Sequence, residues 1–421
     1  MAIREVAPLP KATSKPGVVV AVTLDTKGEE AEFVTEELRK RGINVILVDC
    51  GVLGQAALTP TISAAEVARA ARANLDDLRA SRDRAASIPI MMRGLSTQIK
   101  RLLSENLVQG FLGLGGATNA ALAAAAFAVI PIGIPKVLVS TVVSGNTREI
   151  VGFKDVVLFH SVVDVLGVGS YLRRVLCQAA ALVEALVRES QRSPEVNRDQ
   201  SVAMTTFGST TAAANHAIEL LREHSLEILT FHAEGVGGRA AEAFMLDGQV
   251  QSSFDLTTTE IADELVGGFF TAGQSRLDAA AIAGLPQVVL PGAVHMVNFG
   301  ARDTVPERFA ARQFLAHTPY ATLMRTTPDE NEEIARFIAR KLNQTLAPAA
   351  FVLPTRGFSA YDAEGAAFFD PVADGAFREA LCESLDPKIE LIEVDAHINE
   401  RRCMEVAVAA FVNLIHQSAR S

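Results

Sequence analysis

Val18-Val19-Val20-Ala21-Val22-Thr23-Leu24-Asp25-Thr26-Lys27-Gly28-Glu29-Glu30 decides the fold class. Five consecutive apolar residues, Val18 to Val22, suit a strand buried on both faces, as in a parallel sheet covered by helices. The polar run Thr23 to Gly28 then turns into a helix. In open α/β sheets ligands sit beyond the carboxyl ends of the strands, where a helix N-terminus presents unpaired N–H groups and a partial positive charge. The turn is therefore a candidate corner for an anionic ligand.

Working outward, residues 30–41 carry a helical pattern closed by Gly42, and Ile43 to Val48 reads as the next strand, which completes a βαβ unit. The spacing then predicts two polar helices, over 63–84 and 94–106. Gly110 to Asn119 reads as a short strand running into a glycine turn and a helix over 120–127. A dinucleotide fingerprint G-x-G-x-x-G would need glycine at position 118, which is threonine, and no Walker sequence occurs. Further strands are expected at 135–139, ending in the hydroxyl-rich loop 140–147, and at 155–160. A long helix is expected over 171–189.

Residues 190–199 are the one long stretch without an apolar pattern, and the domain boundary is placed there, giving domains 1–195 and 196–421. Sliding the chain by 183 positions sets 201–234 on 18–51 without a gap, so strand, turn, helix and strand recur in register. Duplication and convergence on a common βαβ pattern both account for this. In the second half, His232 and Glu234 precede the glycine turn 235–238, His295 follows a strand, and Arg325 lies between a strand and a helix. Parallel strands place such ends on one edge, so these residues are expected to line one cleft facing the first domain, suited to a small phosphorylated or carboxylated metabolite. A carbon-metabolism enzyme of hydrolase or lyase type is the alternative function.

At 421 residues the chain suggests two α/β domains, and 6% aromatic content without tryptophan fits parallel sheets under alanine-rich helices. A formal charge of -10 argues against nucleic-acid binding. Cys50, Cys177, Cys382 and Cys403 are scattered without metal-ligand spacing. Residues 1–17 read as a loose leader, and with no signal pattern or membrane-length apolar run the protein is expected to be cytoplasmic.

Long stretches then match a known family in order: LDTKGEE at 24–30, GLGGATNA at 113–120, VSTVVSGNTR at 139–148, FHAEGVGGRA at 231–240, DLTTTEIADELVGG at 255–268, PGAVHMVNFG at 291–300 and MRTTPDE at 324–330. The chain resembles the tomato mosaic virus resistance protein family, also called the Tm-one-like ATP-binding domain family. The resemblance implies two Rossmann-like α/β domains, ATP with Mg2+ in the amino-terminal one, and self-association as a homodimer or tetramer. It places the nucleotide at Thr23, Asp25, Thr26, Lys27 and Gly28, with Gly115, Gly116, Thr118 and Asn119 on the next turn. In that reading Lys27 meets phosphate charge, Asp25 holds magnesium through water or accepts from a ribose hydroxyl, and the glycines let backbone N–H groups approach phosphate oxygens. The family implies no reaction.

Overall fold

The computed structural model describes residues 15–192 and 200–419, so the leader and the centre of the interdomain stretch lie largely outside the described residues. The chain divides into two compact units, Met1–Glu195 and Val196–Ser421.

The first unit is a five-stranded parallel sheet of β1 (Gly17–Val22), β2 (Val45–Asp49), β3 (Val108–Gly115), β4 (Lys136–Ser140) and β5 (Val156–His160), in the order β2-β1-β3-β4-β5. The unbroken apolar run of β1 is explained by its two buried faces. Val18, Val20 and Val22 pack with the helices Gly28–Lys40 and Ser170–Arg192, whereas Val19 and Ala21 pack with Arg84–Ser104 and Ala117–Val129. The chain leaves β1 toward β2 on one side and returns to β3 on the other. The crevice between the carboxyl ends of β1 and β3 is thus the switch point at which doubly wound sheets bind ligands.

The two polar helices expected over 63–84 and 94–106 are three: Ala64–Ala70, Leu75–Ser81 and Arg84–Ser104. The breaks fall where Arg72 and Arg82 adopt left-handed φ of 60° and 51°, and where Asn74 and Asp83 cap the following helix through their side chains. A uniform helical pattern hides such breaks because the capping residues are also ordinary surface residues. Gly94 lets the last of these helices lie against Ala64–Ala70, since a Cβ there would sit 2.0 Å from the Val67 carbonyl oxygen. Gly94→Ala is expected to cost about 2 kcal/mol by overpacking, even though alanine favours the helix by about 1 kcal/mol. Chemical denaturation reads this, and an unchanged midpoint would show that the two helices separate freely.

The second unit carries a six-stranded parallel sheet of β6 (Ser201–Thr206), β7 (Glu227–His232), β8 (Ser252–Thr257) and β9 (Gln287–Gly292), together with β13 (Ala349–Pro354) and β14 (Glu390–Val394). Between β9 and β13 the chain makes a small antiparallel sheet of β10 (Met296–Phe299), β11 (Phe314–Thr318) and β12 (Ala321–Arg325). The main order, β7-β6-β8-β9-β13-β14, is that of the first unit with one strand added. The helices Gly28–Lys40 and Thr211–Glu223 occupy equivalent places, so the repeat read in the sequence is a repeat of topology. No described helix is long and apolar enough to cross a membrane.

Candidate functional site

At the β1/β3 switch point a cavity of about 360 Å³ is lined by Thr26, Lys27, Gly116, Thr118 and Asn119, together with Arg84, Ala117 and Asp164. Two helices, Gly28–Lys40 and Ala117–Val129, begin at this corner, and neither has a side-chain cap. Their first-turn N–H groups therefore lack the usual capping side chain, and both helix dipoles add positive potential at their N-termini. Asn119 ties the two turns together. Its Oδ1 accepts from the Thr23 N–H at 3.0 Å and its Nδ2 donates to Thr23 Oγ1 at 3.1 Å, while Thr23 Oγ1 lies 2.8 Å from Thr26 Oγ1. Gly115 makes room for that clamp. With φ at 135°, it would carry any Cβ to 2.5 Å from Asn119 Nδ2.

Lys27 Nζ donates to the carbonyl oxygen of Val165, and Arg84 Nη2 donates to Thr118 Oγ1 at 2.7 Å. Both cations thus border the cavity on neutral partners. The structure brings together five of the nine nucleotide residues expected from the sequence and assigns the others different work. Thr23 is the clamp just described. Gly28 lies against Ala57, whose Cβ would be 2.4 Å from any added methyl group.

Asp25, expected to hold magnesium, turns away to the loop after β2, where its Oδ2 accepts from the N–H groups of Leu53 and Gly54 at 2.7 and 3.0 Å. The acidic side chain on the cavity is Asp164 instead. Asp164 lies in the loop after β5 (Val156–His160) and Arg84 at the start of the helix Arg84–Ser104, so both reach the cavity from elements distant in sequence from its two turns.

In the second unit the sequence-derived residues separate into two places. His232, the last residue of the edge strand β7, and Glu234, just beyond it, are exposed, with the His232 ring stacked on Phe207 at 5.3 Å between centroids. The glycine turn after them already holds an anion from the protein itself: Glu260 Oε1 accepts from the Gly235 and Gly238 N–H groups at 2.6 and 3.0 Å. Glu260 is in turn bound by buried Arg276, which also pairs with Asp255 and Glu242. A Cβ on Gly238 would meet the Glu260 carboxylate at 1.9 Å, so the glycines there serve an internal carboxylate.

His295 and Arg325 do meet, but by a route other than parallel strand ends. Arg325 closes the antiparallel strand β12, opposite Met296 at the start of β10. Its guanidinium is spent on the carbonyl oxygens of Phe368 and His295, at 2.8 and 3.0 Å, and on Asp374 Oδ1 at 2.6 Å. His295 is fully buried, with Nε2 3.2 Å from Ser359 Oγ and Nδ1 3.8 Å from Asp362 Oδ2. Burial, then the positive charge of Arg325, holds its pKa well below the ordinary value, so the ring is neutral. Asp362 faces the opposite pressure. Burial and the neighbouring Asp374 carboxylate push its pKa up to about 8. The strands β6 and β8 lie between the edge strand ending in His232 and the strand preceding His295, and the pair forms a surface residue and a core residue instead of two walls of one cleft.

Residues 16–192 match the N-terminal domain and residues 199–415 the C-terminal domain of the Uncharacterised protein family UPF0261. The chain belongs to the UPF0261 family. It is 40% identical over 401 residues to a UPF0261 protein of Clostridium tetani, covering 95% of this chain and 98% of that one. A UPF0261 protein of Rhizobium meliloti is 36% identical over 396 residues, 94% of this chain and 98% of its own. The ToMV resistance protein Tm-1(GCR237) of Solanum lycopersicum is 34% identical over 432 residues, which cover 96% of this chain but 57% of the tomato protein.

Proposed function

We propose that this UPF0261 protein binds a nucleoside triphosphate, ATP with Mg2+, at the β1/β3 corner of its first unit. The observation that carries the reading is the meeting of two uncapped helix N-termini with Lys27 and Arg84 around one cavity at the switch point of a doubly wound sheet. Backbone N–H groups and two cations with neutral partners form a cradle that fits phosphate oxygens. Magnesium needs few protein ligands when phosphates and water supply the rest of its shell, and Asp164 is the carboxylate placed to hold it. Bound magnesium would neutralise part of the phosphate charge. Lys27 would exchange the Val165 carbonyl for a phosphate oxygen, and Arg84 would bridge the ligand to Thr118.

Asp164, the carboxylate on the cavity, is assigned here to magnesium, and the reading is of nucleotide binding. Calorimetric titration with ATP and MgCl2 tests it. Wild type is expected to bind, Lys27→Ala to weaken affinity at least tenfold, about 1.4 kcal/mol, and Asp164→Asn to lower the dependence on magnesium. Equal affinities of wild type and Lys27→Ala would sink the placement.

A further inference from the structure

We propose that the second unit has a ligand site of its own, for an uncharged or amino-bearing polyhydroxyl molecule of monosaccharide size, in the cavity beyond the carboxyl ends of β13 and β14. The cavity encloses about 700 Å³, within the range of small-molecule sites. It occupies the position where parallel α/β sheets place ligands, and it is separate in chain and chemistry from the nucleotide corner.

Its apolar wall includes Phe358, Phe369 and Pro371. Phe369 is 42% exposed, a large apolar face left open in the free protein, and a flat ring of this kind suits the C–H face of a sugar.

The polar wall decides against an anionic ligand. Arg356 and Arg378 both border the cavity, yet each fork is taken by a carboxylate. Arg356 is bidentate to Asp395 at 2.8 and 2.9 Å, and Arg378 to Glu393 at 2.9 and 2.7 Å. Both ring nitrogens of His397 are engaged within the protein, Nδ1 by the Asn399 N–H at 3.1 Å and Nε2 by the Ser359 carbonyl oxygen at 2.9 Å. Asp374, 15% exposed, is held by Arg325 through Oδ1. Glu364 and Glu400 add two further carboxylates, so after internal pairing the wall retains negative charge. Carboxylates accept from hydroxyl and ammonium groups and repel other anions. The site thus offers hydrogen-bond acceptors beside an aromatic face, a combination that selects hydroxylated, non-anionic compounds.

Saturation-transfer NMR with D-glucose, D-glucosamine and D-gluconate, on the full-length wild type and on Phe369→Ala and Asp374→Asn, tests this. Glucose or glucosamine is expected to receive saturation and gluconate none. Phe369→Ala, a surface change that leaves the fold intact, is expected to weaken the signal-derived affinity at least fivefold, and Asp374→Asn to abolish the signal. Strongest transfer to gluconate, no transfer to either neutral or amino sugar, or an unchanged affinity in Phe369→Ala would each overturn the assignment.

Discussion

Arg276→Met is expected to destabilise the second unit by roughly 3–5 kcal/mol at pH 8, the cost of breaking a buried ion pair by removing one partner. Arg276 is 1% exposed and answers three carboxylates, Asp255 at 2.5 Å, Glu260 at 2.7 Å and Glu242 at 3.3 Å. These acids do more than pair with it. Asp255 accepts from Thr205 Oγ1, Glu242 from the Leu277 and Ala279 N–H groups, and Glu260 from the glycine turn after β7. One guanidinium therefore holds the carboxyl ends of β6 and β8 to the helix Val236–Leu246. Methionine keeps much of the volume but leaves the three acids without a cation. Their remaining escape is protonation, so the loss shrinks as pH falls toward 5. Urea denaturation at pH 8 and pH 5.5 reads both features. A loss below about 1 kcal/mol at pH 8 would mean that the acids are solvated and the cluster is not the keystone described.

How much of this was legible in the sequence differs between fold and site. The two-sided burial of β1 was written in Val18 to Val22, because a strand covered by helices on both faces has no polar positions to alternate. The recurrence of the same pattern at 201–234 likewise anticipated the shared strand order. The antiparallel sheet β10-β12-β11 was not anticipated, since its strands are four or five residues long and pair across an insertion whose closure depends on distant partners.

Site residues were legible where they sat at strand ends. Thr26, Lys27, Gly116, Thr118 and Asn119 share one cavity because topology alone brings β1 and β3 together. Polarity at a strand end does not tell which way a side chain faces, and for that reason Asp25 read like Lys27 although it serves a neighbouring loop. Asp362, Asp374 and Ser359 went unread for a related reason. They lie on or beside a loop between β13 and the helix Pro371–Ser384, and their chemistry comes from burial against Arg325 and His295, which no local pattern encodes.

That buried group sets the second unit's response to pH. Stability is expected to fall from about pH 4 to about pH 8 and to level off above, because Asp362 titrates at about 8 and Asp263 at about 7 in the folded chain. For Asp263 burial is again the main cause, outweighing the hydrogen bonds from Asn298 and Phe270 that favour its charged form. An aspartate titrates near 3.9 when unfolded. Both folded values are raised, so the native state binds the extra protons across this window and stability drops as pH rises through it. Below pH 6.5 the neutral His295 works in the opposite direction: its folded pKa is lowered, the unfolded ring takes up a proton there, and the histidine's own contribution falls with acid. One histidine proton set against two aspartate protons leaves the aspartates dominant, and His295 only makes the fall shallower below the ordinary histidine pKa of 6.5. Asp362→Asn preserves an acceptor for the Phe358 N–H, made at 2.9 Å in the wild type, and removes one titrating group. Its slope between pH 6.5 and 8 is expected to be shallower by on the order of 1 kcal/mol per pH unit, the value for one proton. Urea denaturation across pH 5.5 to 9, followed on wild type and variant, measures the difference, and parallel curves would show that Asp362 is ionised throughout and that Arg325 outweighs burial.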